Sequence, residues 1–166
     1  MLVALHGDGK TGWGECVAGE TPHYSPETTE TAWHVLTRLL LPAVVGRAHV
    51  GGAGVVRTVW TPVRGHPMAK AAVEMAAWDL QAKRDNVPLC TAIGGTRRAV
   101  PVGVSIGLQH NDDVLLEQIG SSLEEGYLRV KIKIRPGRDV DMLRNVRDRF
   151  PTVSLMVDAN SGYTIA

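Results

Sequence analysis

The stretch YLRVKIKI (127–134) sets two lysines, Lys131 and Lys133, two residues apart in a run that otherwise reads as a core strand. Side chains alternate along a strand, so Val130, Ile132 and Ile134 point one way and the lysines the other. Parallel strands are covered on both faces, and an ammonium taken out of water is costly unless it has a partner or a task. The alternative is an edge strand with solvated lysines. Two neighbouring runs extend the same face. In VPVGVSIG (100–107), Gly103, Ser105 and Gly107 lie opposite Val102, Val104 and Ile106, and the small residues leave room for a ligand. In VSLMVDAN (153–160), Met156, Asp158 and Asn160 lie opposite Val153, Leu155 and Val157. One face of three strands then carries a hydroxyl, two ammonium groups, a carboxylate and an amide. Buried sheets gather such groups where there is a ligand to bind or a reaction to serve.

The elements that position these residues follow from pattern. From about residue 100 the order is strand, helix (111–126, acidic start, Gly126 at its end), strand, helix (138–150), strand, with short connections. That order implies parallel βα units, and Asp158 and Asn160 fall at the C-terminal end of the third strand, where barrel enzymes build their sites. Residues before about 99 have a different rhythm. Residues 1–17 read as a hairpin around GDGKTG. SPETTETAWHVLTRLLLPAVVG (25–46) reads as a helix with Ser25 as N-cap, Pro26 first and Gly46 past its end. GGAG (51–54) reads as a turn or helix start. PMAKAAVEMAAWDLQAKRDN (67–86) reads as a long helix whose core face holds Met68, Ala72, Met75, Ala76 and Leu80.

Hydrophobic residues make up 44% and charged residues 21% of 166 residues, and the formal net charge is +1. This balance fits a globular protein and argues against a nucleic-acid partner. No apolar run reaches membrane-spanning length, which excludes a helical membrane anchor within the sequence. Cys16 and Cys90 read as unpaired, buried thiols of a cytoplasmic protein. The tryptophans read as core or interface residues.

KIK (131–133) followed by VDAN (157–160), together with GWGECVAGETPHYSPETTETAWHVL, RGHPMAKAAVEMAAWDL and EEGYLRVKIKIRPGRDV, resembles the enolase superfamily, in its muconate-lactonizing branch. Within that branch the segments look like the o-succinylbenzoate synthase and N-acylamino acid racemase group. The resemblance covers nearly the whole chain. It implies an α/β architecture: an α+β capping domain over 1–99, lacking its first strand, followed over 100–166 by the first three βα units of an incomplete TIM-type barrel. It places the specificity loops around Gly19–Tyr24 and Arg64–Met68. It also implies a reaction, proton abstraction α to a carboxylate, with Mg²⁺ or Mn²⁺ neutralising the enediolate. Lys133 matches the acid/base and Lys131 its companion charge. Residues i and i+2 on a strand sit about 6–7 Å apart, so each ammonium favours the neutral form of the other, which a base needs. Asp158 matches the first metal carboxylate. Asn160 matches a polar neighbour of that ligand, and Ser105 a substrate contact.

The resemblance also implies what is missing. A full barrel takes about 250 residues, and the family's other two metal carboxylates and its opposite-face lysine have no counterpart here. The chain is therefore expected to be a fragment, inactive by itself, of an enzyme acting on a small carboxylate and assembling as a homo-oligomer when full length. Its whole would be an o-succinylbenzoate synthase of menaquinone biosynthesis, an N-acylamino acid racemase, or both. A dipeptide epimerase, a muconate cycloisomerase or a non-catalytic truncated remnant remain open. Other motifs read as structural. GDGKTG fits G-x-G-x-x-G but joins two strands, so it is a hairpin turn, and Ala4 stands where a phosphate loop needs its first glycine. The six histidines lack metal spacing, Glu15 and Glu20 read as surface residues, and the Arg129–Arg135 stripe lacks the aromatics of a nucleic-acid surface.

Overall fold

A computed structural model describes residues 1–45, 56–58 and 60–165. The turn expected at GGAG and the helix stop at Gly46 lie outside these residues. The chain divides into two compact units, Met1–Thr96 and Arg97–Ala166. Among the described residues no helix is long and apolar enough to cross a membrane.

The first unit opens with strands β1 (Leu2–Gly7) and β2 (Lys10–Glu15), paired antiparallel from Leu2↔Glu15 to Gly7↔Lys10. The two-residue turn is Asp8-Gly9, both left-handed (φ 52° and 71°), the geometry that matches strand twist and that Asp-Gly adopts readily. Helix α1 (Thr29–Val35) continues through a π-turn at Leu36–Leu40 into α2 (Leu41–Val44). The wide turn closes with Leu41 N–H on Leu36 O, next to Pro42, whose missing N–H cannot serve the regular ladder.

The expected start of this helix at Ser25 and Pro26 is corrected. Thr28 is the cap, in a reciprocal box with Thr31. A bridge between Gly19 and Thr28, with Thr29 N–H bonded to Gly19 O at 2.8 Å, keeps Thr28 extended, so helical geometry begins only after it.

The long helix α3 (Pro67–Arg84) packs on β2. Its buried face is Ala69, Ala72, Val73, Ala76, Ala77 and Leu80; Met75, expected in the core, is 43% exposed. The glycines opposite explain the choice. A Cβ on Gly14 would stand 1.9 Å from Ala72 O, and one on Gly12 2.1 Å from Ala76 O, so strand and helix meet backbone to backbone and only alanines fit between. Cys16 and Trp60 are buried in this core. Cys90 is not: it is exposed in the short helix α4 (Leu89–Ala92), which buries none of its residues. Trp13 and Trp33 are also exposed.

The second unit is a parallel sheet, order β3-β4-β5, of Gly103–Ile106, Arg129–Lys133 and Ser154–Asp158. Helices α5 (Asp112–Glu124) and α6 (Val140–Arg149) share a core with it through Ile106, Leu115, Ile119, Val130, Ile132, Met142 and Val146. Asn111 caps α5 by accepting from Val114 N–H at 2.9 Å, and Gly126 ends it in a left-handed turn (φ 94°). Strand β3 is shorter than the run Val100–Gly107. Pro101 has no N–H to give a ladder, and Val100 and Val102 are exposed. The architecture is α/β as expected: an α+β unit built on an antiparallel hairpin, and a second unit that is the start of a parallel β/α sheet.

Candidate functional site

Register decides which side chains meet. Ser105 stands beside Lys131, and Lys131 beside Met156; Lys133 stands beside Asp158. Val130 and Ile132 are buried among the helices, so the intervening lysines occupy the opposite face. There they are neither core nor free surface: side-chain exposure is 33% for Lys131, 28% for Lys133 and 29% for Asp158.

Both ammonium groups converge on one oxygen. Asp158 Oδ2 accepts from Lys133 Nζ at 2.8 Å and from Lys131 Nζ at 3.2 Å. The other carboxylate oxygen, Oδ1, accepts the Asn160 backbone N–H at 3.0 Å, and the Asn160 side-chain oxygen accepts from Lys133 Nζ at 2.5 Å. The Lys133 hydrogen bond above all, then the Asn160 N–H and Lys131, hold the Asp158 carboxyl far below the usual carboxylate range. Asp158 is thus a fixed anion that pairs two cations, which answers the cost of two ammonium groups on one sheet face. The structure brings together Lys131, Lys133, Asp158 and Asn160. Ser105 shares their face, but none of its hydrogen bonds joins this network.

To a divalent ion the site offers one carboxylate and one amide oxygen, and among the described residues no three His, Cys, Asp or Glu side chains converge. Mg²⁺ takes about six oxygen ligands. These residues fall short of a complete metal site and could supply one anchoring ligand to it.

Other groups near the strand ends escape sequence reasoning. Asp112 accepts from Arg138 at 3.3 Å and from Asn145 at 2.8 Å, tying α5 to α6. Tyr163 OH donates to Asp139, the N-cap of α6. A cavity of about 290 Å³ lies among Gln109, His110, Lys133, Arg135 and Arg138. In the first unit, buried Glu27 accepts the N–H groups of Met68 (2.7 Å) and Ala69 (2.9 Å) and so caps α3 from 41 residues away. His66 and Arg64–Met68 therefore lie at a fixed helix start. No local pattern marks any of these contacts.

Comparison with known proteins comes to the same architecture. A family model described as "Mandelate racemase / muconate lactonizing enzyme, N-terminal domain" matches residues 1–94. The chain is 50% identical over 166 residues to the o-succinylbenzoate synthase of Geobacillus kaustophilus, covering 100% of this chain and 44% of that protein. It is 44% identical over 166 residues to the N-succinylamino acid racemase of Thermus thermophilus, covering 100% of this chain and 45% of that protein. The crystal structure of an enolase-superfamily member from Enterococcus faecalis V583 aligns with a TM-score of 0.88 at 46% identity, over 94% of this chain and 42% of that one. The chain spans less than half the length of these relatives.

Proposed function

Because the chain belongs to the mandelate racemase / muconate lactonizing enzyme family, we propose that it contributes the capping domain and the first proton-transfer groups of an enzyme that abstracts a proton α to a carboxylate. The reaction is o-succinylbenzoate formation, N-acylamino acid racemisation, or both, as the names of its relatives indicate. The substrate is a small carboxylate, and the protein acts in the cytoplasm with both thiols free.

In this reading Lys133 is the acid/base and Lys131 the companion charge beside the substrate carboxylate. Asp158 is one ligand of the divalent ion, Mg²⁺ or Mn²⁺, that the family resemblance implies; the remaining ligands are not among the described residues. Asn160 orients Lys133, and Ser105 contacts substrate. The observation that carries the proposal is the convergence of both lysines on Asp158 Oδ2 on a partly open sheet face. That shared anion holds both lysine side chains in place on the open sheet face, where Lys133 can reach the α-carbon of a bound carboxylate.

The test is an assay of the complete gene product carrying this sequence for o-succinylbenzoate formation and for N-succinylamino acid racemisation, with Mg²⁺ and with excess chelator. The proposal expects at least one activity, lost on chelation. Absence of both, in a folded protein that binds Mg²⁺, would overturn it.

A further inference from the structure

Beyond β5 the chain makes a turn that few sequences tolerate. Asn160 (φ 47°) and Ser161 (φ 60°) are consecutive non-glycine residues in the left-handed region, a strain that persists only where surroundings impose it and that gathers at functional sites. Two bonds close the turn on itself: Gly162 N–H to Ala159 O at 2.9 Å, and Asn160 N–H to Asp158 Oδ1 at 3.0 Å. Neither reaches beyond the segment. The one hydroxyl that does is Tyr163 OH, which donates to Asp139 Oδ2. Asp139 is itself fixed, since its Oδ1 accepts the Val140 N–H at 2.9 Å as the cap of α6. Gly162 suits the closed turn, since a Cβ there would stand 2.9 Å from Ala159 O and 3.8 Å from Pro136 Cδ. This hydrogen bond has the expected electrostatic mark: Tyr163 holds the Asp139 carboxyl below its ordinary range, and the carboxylate pushes the phenol up.

We propose that Tyr163, through Asp139, is a positioning residue: it latches the turn Ala159–Gly162 to the start of α6 and thereby keeps the Asn160 side chain on Lys133 Nζ. The relevance of the latch to catalysis rests on the reading of Lys133 as the acid/base; its existence does not. Three links form the chain of action. Tyr163 fixes the far end of the turn, the turn holds Asn160 and Ser161 in their left-handed backbone, and the Asn160 Oδ1 accepts from Lys133 at 2.5 Å. Without the latch the left-handed pair can relax toward ordinary backbone angles, and Oδ1 swings away from the ammonium.

The test follows backbone and side-chain amides by NMR in the ¹⁵N-labelled complete gene product carrying this sequence, without substrate, which requires no turnover and so judges the latch apart from the proposed reaction. Tyr163→Phe removes only the hydroxyl. Asp139→Ser removes the carboxylate but keeps a residue that caps helices well, so α6 persists. Each variant is expected to speed hydrogen exchange at the Asn160 and Gly162 N–H about tenfold, as the loss of one charge-assisted hydrogen bond allows, and to leave Val130 and Ile132 unchanged. The double variant is expected to exchange no faster than either single one, because both break the same contact. The Asn160 side-chain NH₂ resonances are expected to shift in all three. Unchanged exchange in Tyr163→Phe, or effects that multiply in the double variant, would overturn the latch. Faster backbone exchange with the Asn160 side-chain resonances unmoved would overturn its action on Lys133.

Discussion

Replacing Glu27 with alanine is expected to destabilise the first unit more than any surface change in the chain. Glu27 is 3% exposed, and its two oxygens accept the first free N–H groups of α3, from Met68 at 2.7 Å and Ala69 at 2.9 Å. His66, the residue preceding that helix, offers no side-chain cap of its own. Hydrogen bonds to a charged acceptor contribute about 1.5–3 kcal/mol each, and a buried donor left unpaired costs about as much, so Glu27→Ala should lose about 3–5 kcal/mol. Glu27→Gln keeps one acceptor oxygen and turns an NH₂ toward the second N–H, for a loss of about 2 kcal/mol. All four tryptophans, at 13, 33, 60 and 78, belong to the first unit, and Trp60 lies in its core. Urea denaturation followed by tryptophan fluorescence therefore reads this unit alone. A loss under about 1 kcal/mol in Glu27→Ala would show that water replaces the carboxylate at little cost, and the reasoning from buried donors would fail.

Gly14→Ala should cost about 3 kcal/mol or more, since its Cβ would stand 1.9 Å from Ala72 O; the same fluorescence titration reads it. His66→Gly should be neutral or mildly stabilising, by roughly 0.5–1 kcal/mol, because His66 holds φ 54° and its Nδ1 lies 3.8 Å from Glu27, beyond a hydrogen bond. Asp158 has its carboxyl depressed from 3.8, so the stability it contributes is complete above that value and is lost as the pH falls below it toward the folded-state value. Circular dichroism on acid titration should show Asp158→Asn losing less stability than the parent over that window.

Period-two alternation made the lysine face legible in the sequence. Given Val130 and Ile132 in the core, Lys131 and Lys133 had to face away, and the VDAN run put Asp158 and Asn160 at the same strand ends. The α5 boundaries were legible for a similar reason, since Asn111 and Gly126 act on the backbone within a few residues. Contacts across long stretches of chain were not. Ser25 and Thr28 both suit a cap, and only the bridge to Gly19 selects Thr28. Met75 fits the helical period as well as Val73 does, and the close approach of Gly12 and Gly14 is what selects the alanine stripe. Glu27 reaching Met68 and Tyr163 reaching Asp139 leave no periodic trace, because each joins one side chain to a partner that no spacing rule names.

The central claim is that Lys133, held by Asp158 and Asn160, moves the substrate's α-proton. The most direct measurement is exchange of that proton with deuterated water, followed by ¹H NMR on an N-succinylamino acid, in the complete gene product carrying this sequence and in its Lys133→Ala variant. The account predicts exchange in the parent and its loss from the enantiomer whose α-proton faces Lys133. Exchange of both enantiomers at the parent rate in a folded Lys133→Ala protein would contradict it.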